Sequence, residues 1–423
     1  MFHGENSQSN SGFNILSVNF GFPYFHDNSK NEEAYNIPFI EIYSHEELFY
    51  DNFLKQHMQL NIPCIIKNVS SEWECRYYWV KDNKPNFHYI LEKYGDAQVP
   101  VADCSDKYYN SQKKEEQVLN TFLEYWKSYV CNNYSPELPC YYLKDWHFMR
   151  EFPDEKIYQV PSFFASDWLN EYFLQRQDVH DDYRFVYMGP KGSWTPFHAD
   201  VFSSFSWSVN ICGKKRWVLF PPGQEKCLMD NFASLVYDID SPSLQDSSKY
   251  KDYHKLSRKY EIIQEAGDAI FVPSGWHHQV WNMEDTISIN HNWVNGCNID
   301  KMWASLRANL DAVKKEISDC HDMEGWEQHC QVMLNASYGL DLKQFCQFLL
   351  YIVNIRVQHL ENNEQLTLFN GFTLDYYHMK LDIFQAKNIL AKILCDTDFV
   401  KLKLPEENEI TMAIERIDKI LGD

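Results

Sequence analysis

A series of short strand-like runs between Tyr183 and Trp293 constrains this chain more than any other feature. The runs are Tyr183–Met188, Phe197–Asp200, Ser204–Ile211, Arg216–Phe220, Tyr260–Ile263, Ala269–Val272, His277–Trp281 and Thr286–Trp293, with Gly, Pro, Asn and Asp between them. Many short strands separated by turn residues call for a barrel or a jelly roll. Two of the runs alternate strictly. Ser204, Ser206, Ser208 and Asn210 share a face opposite Phe205, Trp207, Val209 and Ile211. Thr286, Ser288, Asn290 and Asn292 share a face opposite Ile287, Ile289, His291 and Trp293. Strand side chains point alternately to the two sides, so each run has a small polar face and a bulky apolar one. Alternation alone fits either an exposed sheet with its polar side out or a barrel whose polar lumen holds a small polar ligand.

The flanks read differently. Residues 1–34 are polar and rich in Asn and Ser, which predicts a flexible N-terminus. From Ile40 to Tyr94, helical patterns flank one apolar run, Pro63–Lys67, that reads as a strand. Val99–Ala102 reads as another; Val118–Val130 and Asp167–Gln175 read as helices, with aromatic-rich irregular loops elsewhere. Residues 35–300 form the main domain on this reading, and the polar interval 223–259 is a long inserted loop of the kind that tends to carry function. Residues 301–423 read as helical. Asp341 and Gln344 have capping-box spacing, and Phe345, Phe348, Leu349 and Ile352 follow as a helical stripe. The stripe is expected to be core or the face of a homodimer.

His198-Ala-Asp200 lies upstream of Gly275-Trp-His-His278. On a strand, positions i and i+2 point to the same side, so His198 and Asp200 can grip one ion, with a third ligand from another strand. Two imidazoles and a carboxylate leave coordination positions open, the arrangement of non-haem Fe(II) oxygenases. A lone His-x-Asp is common by chance. Cys320-His321 with His329-Cys330 fits no common structural zinc spacing and reads as helix surface.

The sequence around each half is more specific. Trp194-Thr-Pro-Phe-His-Ala-Asp200, Trp207, and Gly213-Lys-Lys-Arg-Trp217 followed by Leu219-Phe-Pro-Pro222 resemble the first half of a JmjC domain. Gly267-Asp-Ala-Ile-Phe-Val-Pro-Ser-Gly-Trp-His-His278 and Thr286-Ile-Ser-Ile-Asn-His-Asn-Trp293 resemble the second. Tyr142-Leu-Lys-Asp-Trp146 and Ser166-Asp-Trp-Leu-Asn170 extend the likeness upstream. The chain thus resembles the small-hydroxylase branch of the Fe(II)/2-oxoglutarate oxygenases.

That resemblance implies a mainly β core, a double-stranded β-helix (a cupin-like jelly roll), with N-terminal helices and a helical C-terminal region. It implies His198, Asp200 and His278 as catalytic iron ligands, with His277 as the alternative to His278. Strand parity puts His278, Val280 and Asn282 on one face and His277 on the other. It implies 2-oxoglutarate as cosubstrate and O2 as oxidant. Lys215 occupies the position of the lysine that holds the far carboxylate, on one face with Trp217 and Leu219. Thr195 matches a hydroxyl that binds the same carboxylate. Asn290 stands where relatives often have Thr, and Ser208 where they often have Asn, so both are expected at the cosubstrate.

The resemblance also implies hydroxylation of a protein lysine, on the eukaryotic translation termination factor (release factor subunit 1). The alternatives are another protein or RNA target, or a scaffold without activity. The 39 Lys and Arg against 60 Asp and Glu leave a net charge of −21, which suits a basic partner and argues against a reader of nucleic-acid backbone. The 12 cysteines show no C-x-x-C spacing, and the first residues carry no apolar secretory segment. Reduced thiols in the cytoplasm, with the nucleus as the alternative, are therefore expected. The longest apolar stretch, Phe345–Ile355, is too short to span a bilayer, so no membrane is expected.

Overall fold

The computed structural model describes residues 14–18, 35, 37–176, 178–179 and 181–422. Most of the segment expected to be flexible lies outside them. Ile15–Leu16 pairs in parallel with Thr373–Leu374, because Leu16 has an apolar site to fill and is buried.

The strands that build the site are β1 (Glu41–Ser44), β2 (Cys64–Lys67), β3 (Gln98–Tyr108), β4 (Ser111–Val118) and β5 (Tyr141–Trp146). They continue with β6 (Arg184–Gly189), β7 (Trp194–His198), β8 (Phe205–Cys212) and β9 (Lys215–Phe220). The last are β10 (Tyr260–Gln264), β11 (Ala269–Val272), β12 (His277–Asn282) and β13 (Thr286–Trp293). A nine-stranded sheet runs β1-β2-β11-β8-β13-β6-β5-β3-β4, and a four-stranded sheet runs β7-β12-β9-β10. Apart from the parallel β1–β2 pair, the pairings within these two sheets are antiparallel. Helices lie on both sides of the strand region in sequence, as expected for a jelly roll with flanking helical regions.

The two alternating strands pair with each other, so their faces add. Ser206 stands opposite Asn292, Ser208 opposite Asn290 and Asn210 opposite Ser288. Ser208, Asn210, Thr286 and Ser288 are buried, which rules out an exposed polar side and leaves the polar lumen. The opposite face, with Phe205, Trp207, Val209, Ile287, Ile289 and Trp293, joins the large core shared with the helices. A second apolar cluster, including Trp217, Leu219, Ile270, Val272, Trp276 and Val280, draws on both sheets. The interval 223–259 is irregular but packed: Leu228, Val236, Leu244 and Tyr250 bury against Phe197, Val218 and Phe220.

Three expectations need correction. The expected strand Phe197–Asp200 ends at His198, and Asp200 lies beyond it as extended backbone leading into the turn Val201–Ser203. β4 was not anticipated, because SQKKEEQV is a charged edge strand without apolar alternation. β5 was not anticipated either, because its register shifts between Leu143 and Trp146 and breaks the alternation.

The C-terminal helices dock on the strand domain. Asp341 and Gln344 form a capping box at the start of Leu342–Glu361. The stripe Phe345, Phe348, Leu349 and Ile352 is buried within the single chain, so it is core. From the same helix the buried Arg356 reaches Glu171 (Nη2–Oε2, 2.7 Å) and Asp382 (Nε–Oδ2, 3.1 Å). No helix among the described residues is long and apolar enough to cross a membrane.

Candidate metal centre

β7 and β12 are neighbours in the small sheet, and His198 and His278 are register partners on them. Their rings stand 4.4 Å apart, centroid to centroid. Each imidazole uses Nδ1 against a backbone carbonyl: His198 on Pro196 O at 2.8 Å, His278 on Trp276 O at 3.0 Å. A carbonyl can only accept, so each Nδ1 carries the proton and each Nε2 keeps its lone pair for a metal. Burial and the facing His278 push the His198 imidazole down to about 4, which keeps it neutral.

Asp200 completes the group. One ligand atom from each of His198, Asp200 and His278 lies within 4.8 Å of the others, a spacing that fits one ion. Its carboxylate is fixed from the large sheet. Ser206 Oγ donates to Oδ2 at 2.7 Å, and Asn292 Nδ2 donates to Oδ1 at 3.0 Å. Two donors leave lone pairs free on both oxygens, so orientation and metal binding are compatible. Two nitrogens and one oxygen with open positions suit ferrous iron. His277 is not in the group; it lies on the opposite face, packed on Phe197.

The pocket beside the triad is lined by Thr195, Ser208, Lys215, Trp217 and Asn290 together with Tyr142 and Tyr187. Lys215 is buried, and no carboxylate among the described residues pairs with it. Its ammonium donates to Ser288 Oγ at 2.7 Å and Tyr142 OH at 3.3 Å. Burial pushes it down to about 7. A cation held this way is costly until an anion arrives. Thr195 Oγ1 and Ser208 Oγ are buried without a hydrogen-bond partner. Asn290 Nδ2 donates to Ser288 Oγ at 3.3 Å. An unpaired cation and two unsatisfied hydroxyls beside an open metal triad fit a dicarboxylate.

Gly189 makes room for this arrangement, since a Cβ there would stand 2.4 Å from the Tyr142 ring and 2.6 Å from Ser193 Oγ. Sequence reasoning assigned no role to Tyr142, Tyr187, Ser206 or Asn292. Ser206 and Asn292 did lie on the polar faces it singled out, and the β8–β13 register was the missing link. Among the described residues, Cys320, His321, His329 and Cys330 do not converge as a metal-ligand cluster.

Comparison with known proteins agrees with the geometry. The cupin-like domain family matches residues 50–299. The "2-oxoglutarate and iron-dependent oxygenase JMJD4" of Danio rerio is 46% identical over 374 residues, covering 86% of this chain and 88% of that protein. The protein of the same name from Homo sapiens is 44% identical over 356 residues, 84% of each. The chain belongs to the JMJD4 family of JmjC oxygenases. Like other JMJD4 oxygenases it is an enzyme that depends on iron, 2-oxoglutarate and O2. A more distant relative, "Arginine-specific demethylase JMJ20" of Arabidopsis thaliana, is 42% identical over 327 residues, 73% of this chain and 69% of that protein.

Proposed function

We propose that this JMJD4-family chain is a protein lysyl hydroxylase whose substrate is a lysine of the eukaryotic translation termination factor. The observation that carries the reading is the convergence of His198, Asp200 and His278 within 4.8 Å beside the unpaired Lys215. When bound, iron and 2-oxoglutarate supply oxidation of a C–H bond by O2, giving succinate, CO2 and one hydroxyl group on the substrate. His198, Asp200 and His278 would hold the metal. Lys215, with Thr195, Ser208 and Asn290, would hold the two carboxylates. Trp217 and Val280 form the apolar part of the pocket wall.

A scaffold has no use for a buried cation without a partner, so the unpaired Lys215 favours catalysis over that alternative. The acidic balance of the chain favours a basic protein surface over RNA. We place the reaction in the cytoplasm, where the termination factor works. A homodimer through the C-terminal helices would have to use residues other than the buried stripe. The likeness to the arginine-specific demethylase of Arabidopsis favours a second reading, removal of a methyl group from arginine.

The test is mass spectrometry of the termination factor after incubation with the chain, Fe(II), 2-oxoglutarate and O2. One added oxygen on a lysine supports the lysyl reading. Loss of a methyl group from a methylated arginine peptide, with no oxygen added to lysine, supports the second.

A further inference from the structure

The bulge in β5 does something that the metal triad does not need. Leu143 pairs with Met188 and Trp146 with Val186, and all four side chains are buried in the large core. Lys144 and Asp145 therefore share the space opposite Tyr187, two residues against one. Regular alternation from Leu143 would turn Asp145 into the core and Trp146 into the lumen. The bulge reverses both. Asp145 carries the strain, with φ at 62°, in the left-handed region that non-glycine residues seldom occupy.

The reversal brings the Asp145 carboxylate against the hydroxyl of Tyr187, behind the pocket wall. It accepts the hydrogen bond of Tyr187 OH, and the Tyr187 ring is part of the wall of the metal pocket. Ser288, the register partner of Tyr187, holds the Lys215 ammonium. Asp145 is thus one side chain removed from the cosubstrate pocket, and it remains 32% exposed. Among the described residues lining that pocket, Asp200 is the only carboxylate, and it belongs to the triad. A substrate ammonium brought to the pocket needs a different one.

The Asp145 carboxylate already lies in the field of two ammonium groups, Lys114 and the buried Lys144. Lys114, on the edge strand β4, pairs with its other oxygen. The Lys114 side chain is 45% exposed, and an ion pair so open to water contributes little net stability. It is not needed to anchor β4, which is laddered to β3 from Gln98–Val118 through Ala102–Lys114.

We propose that Asp145 receives the side-chain ammonium of the substrate lysine, with Tyr187 orienting the carboxylate and Lys114 holding the place in the free enzyme. This rests on the lysyl reading above. The bulge then explains itself: it turns an acid outward, next to a site that has none to spare.

The test is calorimetric binding to the full-length chain loaded with Mn(II) and 2-oxoglutarate under nitrogen. The probes are a termination-factor peptide containing the substrate lysine and the same peptide with norleucine in its place. The wild-type chain is expected to prefer the lysine peptide by about tenfold or more. D145N should bind both peptides alike, D145E should recover part of the preference, and K114Q should bind the lysine peptide several-fold more tightly than wild type. A preference that survives D145N overturns the role of Asp145 alone. So does K114Q weakening both peptides together with the melting temperature, which would make the pair structural. A wild-type chain that treats the two peptides alike overturns the lysyl reading itself.

Discussion

The His198 and His278 rings face each other across neighbouring strands, 4.4 Å apart, and each gives its Nδ1 proton to a backbone carbonyl. The backbone thereby fixes the tautomer that leaves both Nε2 atoms free. The folded chain also prefers His198 neutral, down to about 4, against 6.5 for an ordinary imidazole. Between these values the unfolded chain binds more protons than the folded one. The metal-free protein is therefore expected to lose stability as pH falls from about 6.5 toward 4. Urea denaturation across that range measures it, and H198Q should remove part of the slope.

Lys215 makes the opposite demand. Its ammonium is buried without a carboxylate, and burial pushes it down to about 7 from 10.5. Between those values the unfolded chain keeps a proton that the folded chain gives up, so ligand-free stability should rise with pH. Adding 2-oxoglutarate restores the charge. Calorimetry at pH 8 in buffers of different ionisation enthalpy should show uptake of about one proton on binding. K215M should raise ligand-free stability by about 1–4 kcal/mol while abolishing 2-oxoglutarate binding.

Asn292 connects the two sheets at the metal. It donates to Asp200 at 3.0 Å and to Ser204 Oγ at 3.1 Å. N292A leaves all three ligands in place but frees the Asp200 carboxylate on one side. Metal affinity should fall by about 10-fold to 100-fold, read by competition with a chelator.

Arg356 ties the C-terminal helices to the strand domain. It is wholly buried and faces two carboxylates, Glu171 and Asp382. R356M would leave Glu171 without its cation and Asp382 with only His378 and the Trp168 indole. A loss of about 3–5 kcal/mol in chemical denaturation is expected.

The site was legible in the sequence where period and motif coincide. His198, His278 and Lys215 sit on strands whose parity fixes their direction, and the polar faces of β8 and β13 mark the lumen. Asp200 was found for a reason that does not hold, since it lies past the end of β7 and not on it. The strands β4 and β5 were hidden by charge and by a bulge. Both effects obey the geometry of the partner strand, which local sequence does not contain. Tyr142 and Tyr187 escaped for the same reason, because their place at the pocket depends on the β5–β6 pairing.

The central claim is that His198, Asp200 and His278 hold one metal ion. Titration of the metal-free chain with Mn(II), followed by calorimetry, tests it most directly. One ion per chain is expected, with binding lost in H198A and H278A and kept within about threefold in H277A. Undiminished binding in H198A, or loss in H277A with H278A intact, would contradict the account.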